Sequence, residues 1–152
     1  MNFTTREDID APKDVVYAAI TDFDRFERRL MRLGIDVLRD EAHPPPETGA
    51  RWKAVLEWRG RSHDVEAELV SIEPDDGYAL EAHSSGLICL AVVDLVPLSR
   101  TRTRLMVSVE VRATSFGSRL LLASLRLTSG PLQGRFRRRV AEFAAELPGA
   151  AV

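Results

Sequence analysis

Cysteine is all but missing from this 152-residue chain: Cys89 stands alone, so no internal disulfide can form. It lies inside the apolar run Leu87 to Val93, where a thiol behaves as a small hydrophobe, and that usage suits a reducing cytoplasm. Lysine is nearly missing as well, Lys13 and Lys53 being the only two, so arginine carries the positive charge as a habit of composition. No stretch approaches the roughly 20 apolar residues of a membrane span. Met1 is followed by polar Asn2, Thr4, Thr5 and Arg6 where a signal segment would be apolar, and the predicted location is cytoplasmic. The three histidines, His43, His63 and His83, have no Cys or carboxylate at metal-ligand spacing. Walker A loops, dinucleotide glycine fingerprints and seryl nucleophile elbows are also missing. No metal and no cofactor are expected.

What is present is a single domain, residues 1–152, long enough to bury roughly two thirds of its unfolded surface without a covalent staple. Its net charge of -2 conceals a strong internal division. Between Arg100 and Arg139 ten arginines face one acid, Glu110, a block of +9; between Asp40 and Ser99 twelve acids face four bases, a block of -8. Neighbouring strands that neutralise one another account for such a division most simply. The basic block could also steer the domain to an anionic membrane surface. Nucleic acid is not expected, because the basic segment has few aromatics for stacking and the pI is acidic.

The first forty residues read strand, two helices, strand. Phe3 to Ile9 alternates, and Ala11-Pro12-Lys13 then stops the strand and opens a helix with the face Val15, Val16, Ala19 and Ile20. After Thr21-Asp22-Phe23 a second short helix carries Phe26, Leu30 and Leu33, and Gly34 ends it. A β-pattern follows. Trp52, Ala54, Leu56 and Trp58 alternate with a mostly charged face of Lys53, Glu57 and Arg59 up to Gly60, and His63, Val65, Ala67 and Leu69 alternate with Asp64, Glu66 and Glu68. Val70 and Ile72 fall out of phase, as a bulge allows. Tyr78, Leu80 and Ala82 come after the turn Glu73 to Gly77, Leu87 to Leu98 is apolar on both faces, and Leu105, Val107, Val109 and Val111 alternate again. Short turns between consecutive strands imply an antiparallel meander.

Beyond Thr114 or Ser115, Leu122, Leu125, Ser129, Leu132, Phe136, Val140, Phe143 and Leu147 recur at helical spacing. Gly130-Pro131 interrupts that face, so either a kinked long helix or two abutting helices is expected, closed by Pro148-Gly149.

The Ile9-Asp10-Ala11-Pro12 entry, the helix Val15 to Phe23 and the Phe116-Gly117-Ser118-Arg119-Leu120-Leu121 approach to the terminal helix resemble the START-like, or SRPBCC, superfamily over essentially the whole chain. The similarity is strongest to its bacterial polyketide cyclase/dehydrase and lipid-transport type. The resemblance implies an α+β helix-grip fold: a curved antiparallel sheet of six to seven strands wrapped around a long C-terminal helix, with two short helices after the first strand. It also implies a cavity between sheet and helix, but transfers no catalytic residue, since the superfamily hosts many functions on one fold.

The inward phase of the strands supplies the candidate lining of that cavity: Trp52, Leu56, Trp58, Val65, Ala67, Leu69, Tyr78, Leu80, Val107 and Val109, with Leu125 from the helix. The aromatic rings among them offer apolar area with a polar edge, yet they would also serve as plain filling under the helix. Ala54, Ala67, Ala82 and Ala91 tilt the balance towards empty volume, because small side chains leave space unless a helix approaches closely. The expected function is binding or transport of a hydrophobic small molecule, such as a lipid, quinone or polyketide-like ring system. The alternative is a cyclase or dehydratase in the same cavity, which requires polar groups such as His63, Glu7, Tyr78 and Arg104 to converge. His63 begins its strand beside a turn, where a rim position is the simpler expectation, and Arg104 is phased opposite Leu105 and Val107.

Overall fold

The structure is a computed structural model that describes residues 1–58, 60–127 and 129–147. Arg59 and the expected stop at Pro148-Gly149 lie outside the described residues. The described elements run β1 (Asn2–Ile9), α1 (Lys13–Ile20), α2 (Phe23–Arg32), β2 (Asp36–Arg39), β3 (Arg51–Trp58), β4 (Arg61–Glu73), β5 (Gly77–Ser84), β6 (Leu87–Ser99), β7 (Arg102–Ala113), α3 (Phe116–Arg126) and α4 (Ser129–Ala145). The strands form one antiparallel seven-stranded sheet in the order β1-β7-β6-β5-β4-β3-β2. This is the α+β helix-grip architecture.

Local chemistry sets the element ends. Pro12 caps α1 from an extended backbone, and the Asp22 side chain accepts from the Arg25 N–H at 3.2 Å to start α2. Gly34 stops α2 with φ at +84°, while the Ile35 N–H bonds the Leu30 carbonyl and the Gly34 N–H bonds that of Met31. That pair of bonds is a Schellman closure, and glycine suits its left-handed residue. The strand register slips between Leu69 and Ser71, which is the bulge that the phase change at Val70 and Ile72 implied. Gly77 is required for another reason: a Cβ there would sit 1.9 Å from the Val93 carbonyl oxygen, so only glycine lets β5 meet β6.

The C-terminal apolar face is divided between two helices. Ser115 and Ser118 form a capping box that starts α3, and α4 begins afresh at Ser129. Pro131 therefore sits in the first turn of α4, where its missing N–H has no helical partner to lose. The proline helps to begin a helix here and does not bend one.

The core lies at one end of the cup. Ile9, Val16, Ile20, Leu69, Leu105 and Leu147 are buried, with Phe23 wedged between Trp52 and Tyr78 at ring separations of 5.4 and 5.2 Å. Polar ties hold the small helices to the sheet: Tyr78 donates its hydroxyl to the Ile20 carbonyl at 2.8 Å, and Thr103 donates to that of Ala11 at 2.9 Å. Helix α4 packs chiefly on β1, at the edge of the sheet. Ala67, Ala82 and Ala91, on the inner faces of the middle strands, are consequently only half buried. The helices do not fill the palm of the sheet.

Candidate functional site

A hollow of about 390 Å³ opens between α2, α4 and the sheet. Its floor is Tyr78 of β5, Val93 of β6, and Leu105 and Val107 of β7, four residues brought together by register: Tyr78 lies opposite Val93, and Val93 opposite Val107. Ile20, Phe26, Leu30 and Leu33 form one wall, Val140 and Phe143 the other. The two walls touch at the back, where the Phe26 and Phe143 rings stand 5.5 Å apart. Leu30 and Leu33 are exposed, which places them at the mouth. The volume falls in the usual range for small-molecule sites, roughly 300–1,000 Å³.

The polarity of the hollow is low, and its few polar groups can be accounted for. The Tyr78 hydroxyl donates a hydrogen bond to the Ile20 carbonyl, and burial raises its phenol pKa, so it stays neutral and occupied. Arg29 and Arg139 line the hollow beside the apolar groups. The Arg29 guanidinium lies 2.7 Å from Glu146 Oε1, and Arg25 reaches the other oxygen of the same carboxylate at 2.7 Å. These bonds tie α2 to the end of α4. A second network fastens α2 to the sheet: Arg39 donates twice to Glu27 at 2.8 and 2.7 Å, and Trp52 Nε1 donates to Glu27 Oε1 at 2.7 Å.

A larger depression, about 810 Å³, covers the outer surface of β2–β5. Lys53, Glu66, Glu68, Glu81 and His83 line it, all phased away from the helices. Its polar groups partly satisfy one another, Arg51 with Glu68 at 2.9 Å and His83 with Glu81 at 2.6 Å. An open, charged trough suits water better than an apolar guest, so size alone does not make it the site.

The sequence candidates separate into groups. Tyr78 and Val107 line the hollow. Trp52 is buried under α2 against Phe23, and Leu69 is fully buried in the core. Leu80 and Ala67 are partly buried hydrophobics packed against that core, and Val65 and Val109 are half buried on the inner face beyond the hollow. Leu56 is exposed towards the far end of β3, and Trp58 is half buried with its ring 6.0 Å from that of His63. Leu125 of α3 is half buried and does not line the hollow. Sequence reasoning missed the contributions of Arg29, Val93, Leu105, Arg139, Val140 and Phe143. The helical phase of Val140 and Phe143 was the available signal, and it needed the position of α4 to become a site.

The groups an acid–base reaction would need stand apart. His63 lies on β4 with Nδ1 3.4 Å from Ser85 Oγ, whereas Glu7 lies on β1, four strand spacings or roughly 19 Å away along the sheet. Arg104 is on the outer face, 2.8 Å from Asp8, whose carboxyl it holds below the usual range. Burial raises the Cys89 thiol pKa, which disfavours the nucleophilic thiolate. Among the described residues no group of three His, Cys, Asp or Glu side chains converges as a metal site would.

Comparison with solved structures agrees on the architecture. Norcoclaurine synthase from Thalictrum flavum, solved in complex with dopamine and hydroxybenzaldehyde, superposes with a TM-score of 0.64 at 9% identity, covering 96% of this chain and 84% of that one. A START superfamily protein from Mycobacterium smegmatis gives 0.56 at 13% identity over 91% and 98% of the two chains. A conserved protein from Geobacillus kaustophilus gives 0.55 at 16% identity over 93% and 96%. No family model and no curated protein matches the sequence. The class defined by these observations is the START-like helix-grip fold; at such identities the likeness is one of fold.

Proposed function

We propose that the protein binds and carries a hydrophobic small molecule, a lipid, quinone or polyketide-like ring system, in the hollow between β5–β7 and helices α2 and α4. One observation carries this reading: about 390 Å³ of space walled by apolar side chains, with its one buried hydroxyl already committed. Tyr78, Val93, Leu105, Val107, Phe26 and Phe143 form the contact surface. A ligand of about twenty heavy atoms at about 0.3 kcal/mol each would bind with about 6 kcal/mol, an affinity of tens of micromolar. The relation of fold to a synthase that holds two small aromatic molecules supports a small-molecule site of this kind. A cyclase or dehydratase in the same hollow ranks second, because His63, Glu7 and Arg104 do not meet Tyr78. Native mass spectrometry on protein purified from its own host tests the reading. A bound species of a few hundred daltons is expected; ligand-free protein that also ignores fluorescent fatty-acid and quinone probes refutes it.

The delivery surface in this proposal is an anionic membrane, met by α3. Phe116, Leu120 and Leu127, at helical spacings of four and seven, are 75%, 59% and 88% exposed. They form one outward stripe with Ala123 between them, flanked by Arg119 and Arg126. Many arginines on the strands and on α2 have carboxylate partners, among them Arg102 with Asp10 and Arg104 with Asp8. Among the described residues, Arg119, Arg126, Arg135, Arg137, Arg138 and Arg139 have none within 4 Å, and no acid lies between Val111 and Ala141. A convex apolar stripe with unpaired cations suits a deformable anionic layer, at about 1 kcal/mol for each arginine near the surface. Sedimentation with phosphatidylserine vesicles is expected at low salt, weakening at moderate salt and lost when Phe116 and Leu120 become serine. Binding indifferent to salt, equal binding to neutral phosphatidylcholine, or self-association through α3 in place of vesicle binding overturns it.

A further inference from the structure

We infer that the hollow selects an amphiphile with an anionic head, held by Arg139, with its apolar tail lying between Tyr78, Val93 and Val107. This inference rests on the small-molecule reading above and specifies the ligand for it. The floor and walls are hydrocarbon and aromatic, and they set no preference among apolar guests. The charged residues of the lining are Arg29 and Arg139, and the Tyr78 hydroxyl is spent on the Ile20 carbonyl. The two arginines are not equivalent. Arg29 shares Glu146 with Arg25, whereas Arg139 has no carboxylate within 4 Å among the described residues, and Glu142 one turn further along α4 forms no ion pair with it.

Arg25 and Arg29 share the one carboxylate of Glu146, and Arg139 pairs with none among the described residues, which leaves a surplus of positive charge beside the hollow. A guanidinium presents a planar fork of N–H donors matched to carboxylate or phosphate oxygens. Standing beside hydrocarbon, Arg139 is partly shielded from water once a tail fills the hollow, and its attraction for an anion then strengthens. An ammonium head would meet the same surplus as repulsion. The chemistry that fits is a tail of moderate length ending in a carboxylate or a phosphate monoester.

Isothermal titration of the full chain with dodecanoate, dodecyl phosphate, dodecanol and dodecylamine, each below its micelle-forming concentration, tests this. The expected order places one or both anions about tenfold or more above dodecanol, with dodecylamine weakest. In Arg139→Gln the ratio of anion to dodecanol affinity collapses to within about twofold, while Arg139→Lys keeps part of it. Dodecyl phosphate leading dodecanoate, with the lead lost in R139Q, supports the inference and identifies a phosphate head. Dodecanol binding as well as the anions in wild type, or a ratio that R139Q leaves unchanged, overturns the head-group assignment and leaves the hollow intact. Failure of all four probes to bind wild type overturns the small-molecule reading itself, and the head group falls with it.

Discussion

Replacing Val107 by phenylalanine turns the question of empty volume into a sign. Val107 sits on the floor of the hollow between Val93 of β6 and Thr5 of β1, half buried because nothing covers it completely. Phenylalanine adds about four carbon atoms, which at about 0.8 kcal/mol per buried CH₂ amounts to about 3 kcal/mol for full burial. At a half-covered site about 1.5 kcal/mol of that is realised. For a domain of this size about 2–4 °C accompanies each kcal/mol, so the melting temperature should rise by about 3–6 °C. A filled core responds in the opposite direction, since forcing extra carbons into packed space costs about 1–3 kcal/mol. Thermal unfolding by circular dichroism reads the sign, and titration with dodecanol reads the consequence, a loss of affinity of at least about tenfold as the ring takes the ligand's place. A destabilised V107F protein would refute the existence of the space.

Two further substitutions probe what holds that space open. Tyr78→Phe removes the bond to the Ile20 carbonyl and should cost about 1–3 kcal/mol at neutral pH, read from urea midpoints. It should also change alkaline behaviour. Burial raises the folded phenol pKa above its unfolded value of about 10, so this stabilisation is complete below pH ~10 and is lost as pH climbs towards the folded value, at about 1.4 kcal/mol per pH unit. The stability difference between wild type and Y78F should shrink with that slope above pH ~10; a difference independent of pH would contradict the burial of the phenol. Leu69→Ala, at a fully buried site on β4, should cost about 2–5 kcal/mol, whereas a Leu69 that serves a ligand would show little loss of stability without one.

Much of the fold was legible because strand phase and turn chemistry are local. His63 to Leu69 alternates strictly, Trp52 to Trp58 alternates except at Val55, and the phase change at Val70 marks the bulge. Gly34 and Ser115 announced helix ends by their backbone and capping chemistry. Pro131 suits a helix's first turn and disrupts its interior, so the sequence is compatible with both a kink and a break, and the position of the proline in α4 decides for the break. The candidate site was less legible. An inward phase is shared by Trp52, Leu69 and Val107, yet one lies under α2, one is sealed in the core and one faces the hollow. That difference comes from where α2 and α4 rest on the sheet, which depends on tertiary ties such as Arg39 with Glu27 and Arg29 with Glu146. In the sequence Arg139 is one member of a charged run, since its neighbour Val140, and not the arginine itself, carries the helical apolar phase.

Methyl-labelled NMR of the protein with isotope-unlabelled dodecanol shows whether the hollow under α2 and α4 takes an apolar guest. Intermolecular NOEs from the alkyl chain to the methyl groups of Val93, Leu105, Val107, Leu30 and Val140 are predicted. NOEs confined to Leu120 and Leu127 of α3, or none at all at millimolar dodecanol, would contradict it.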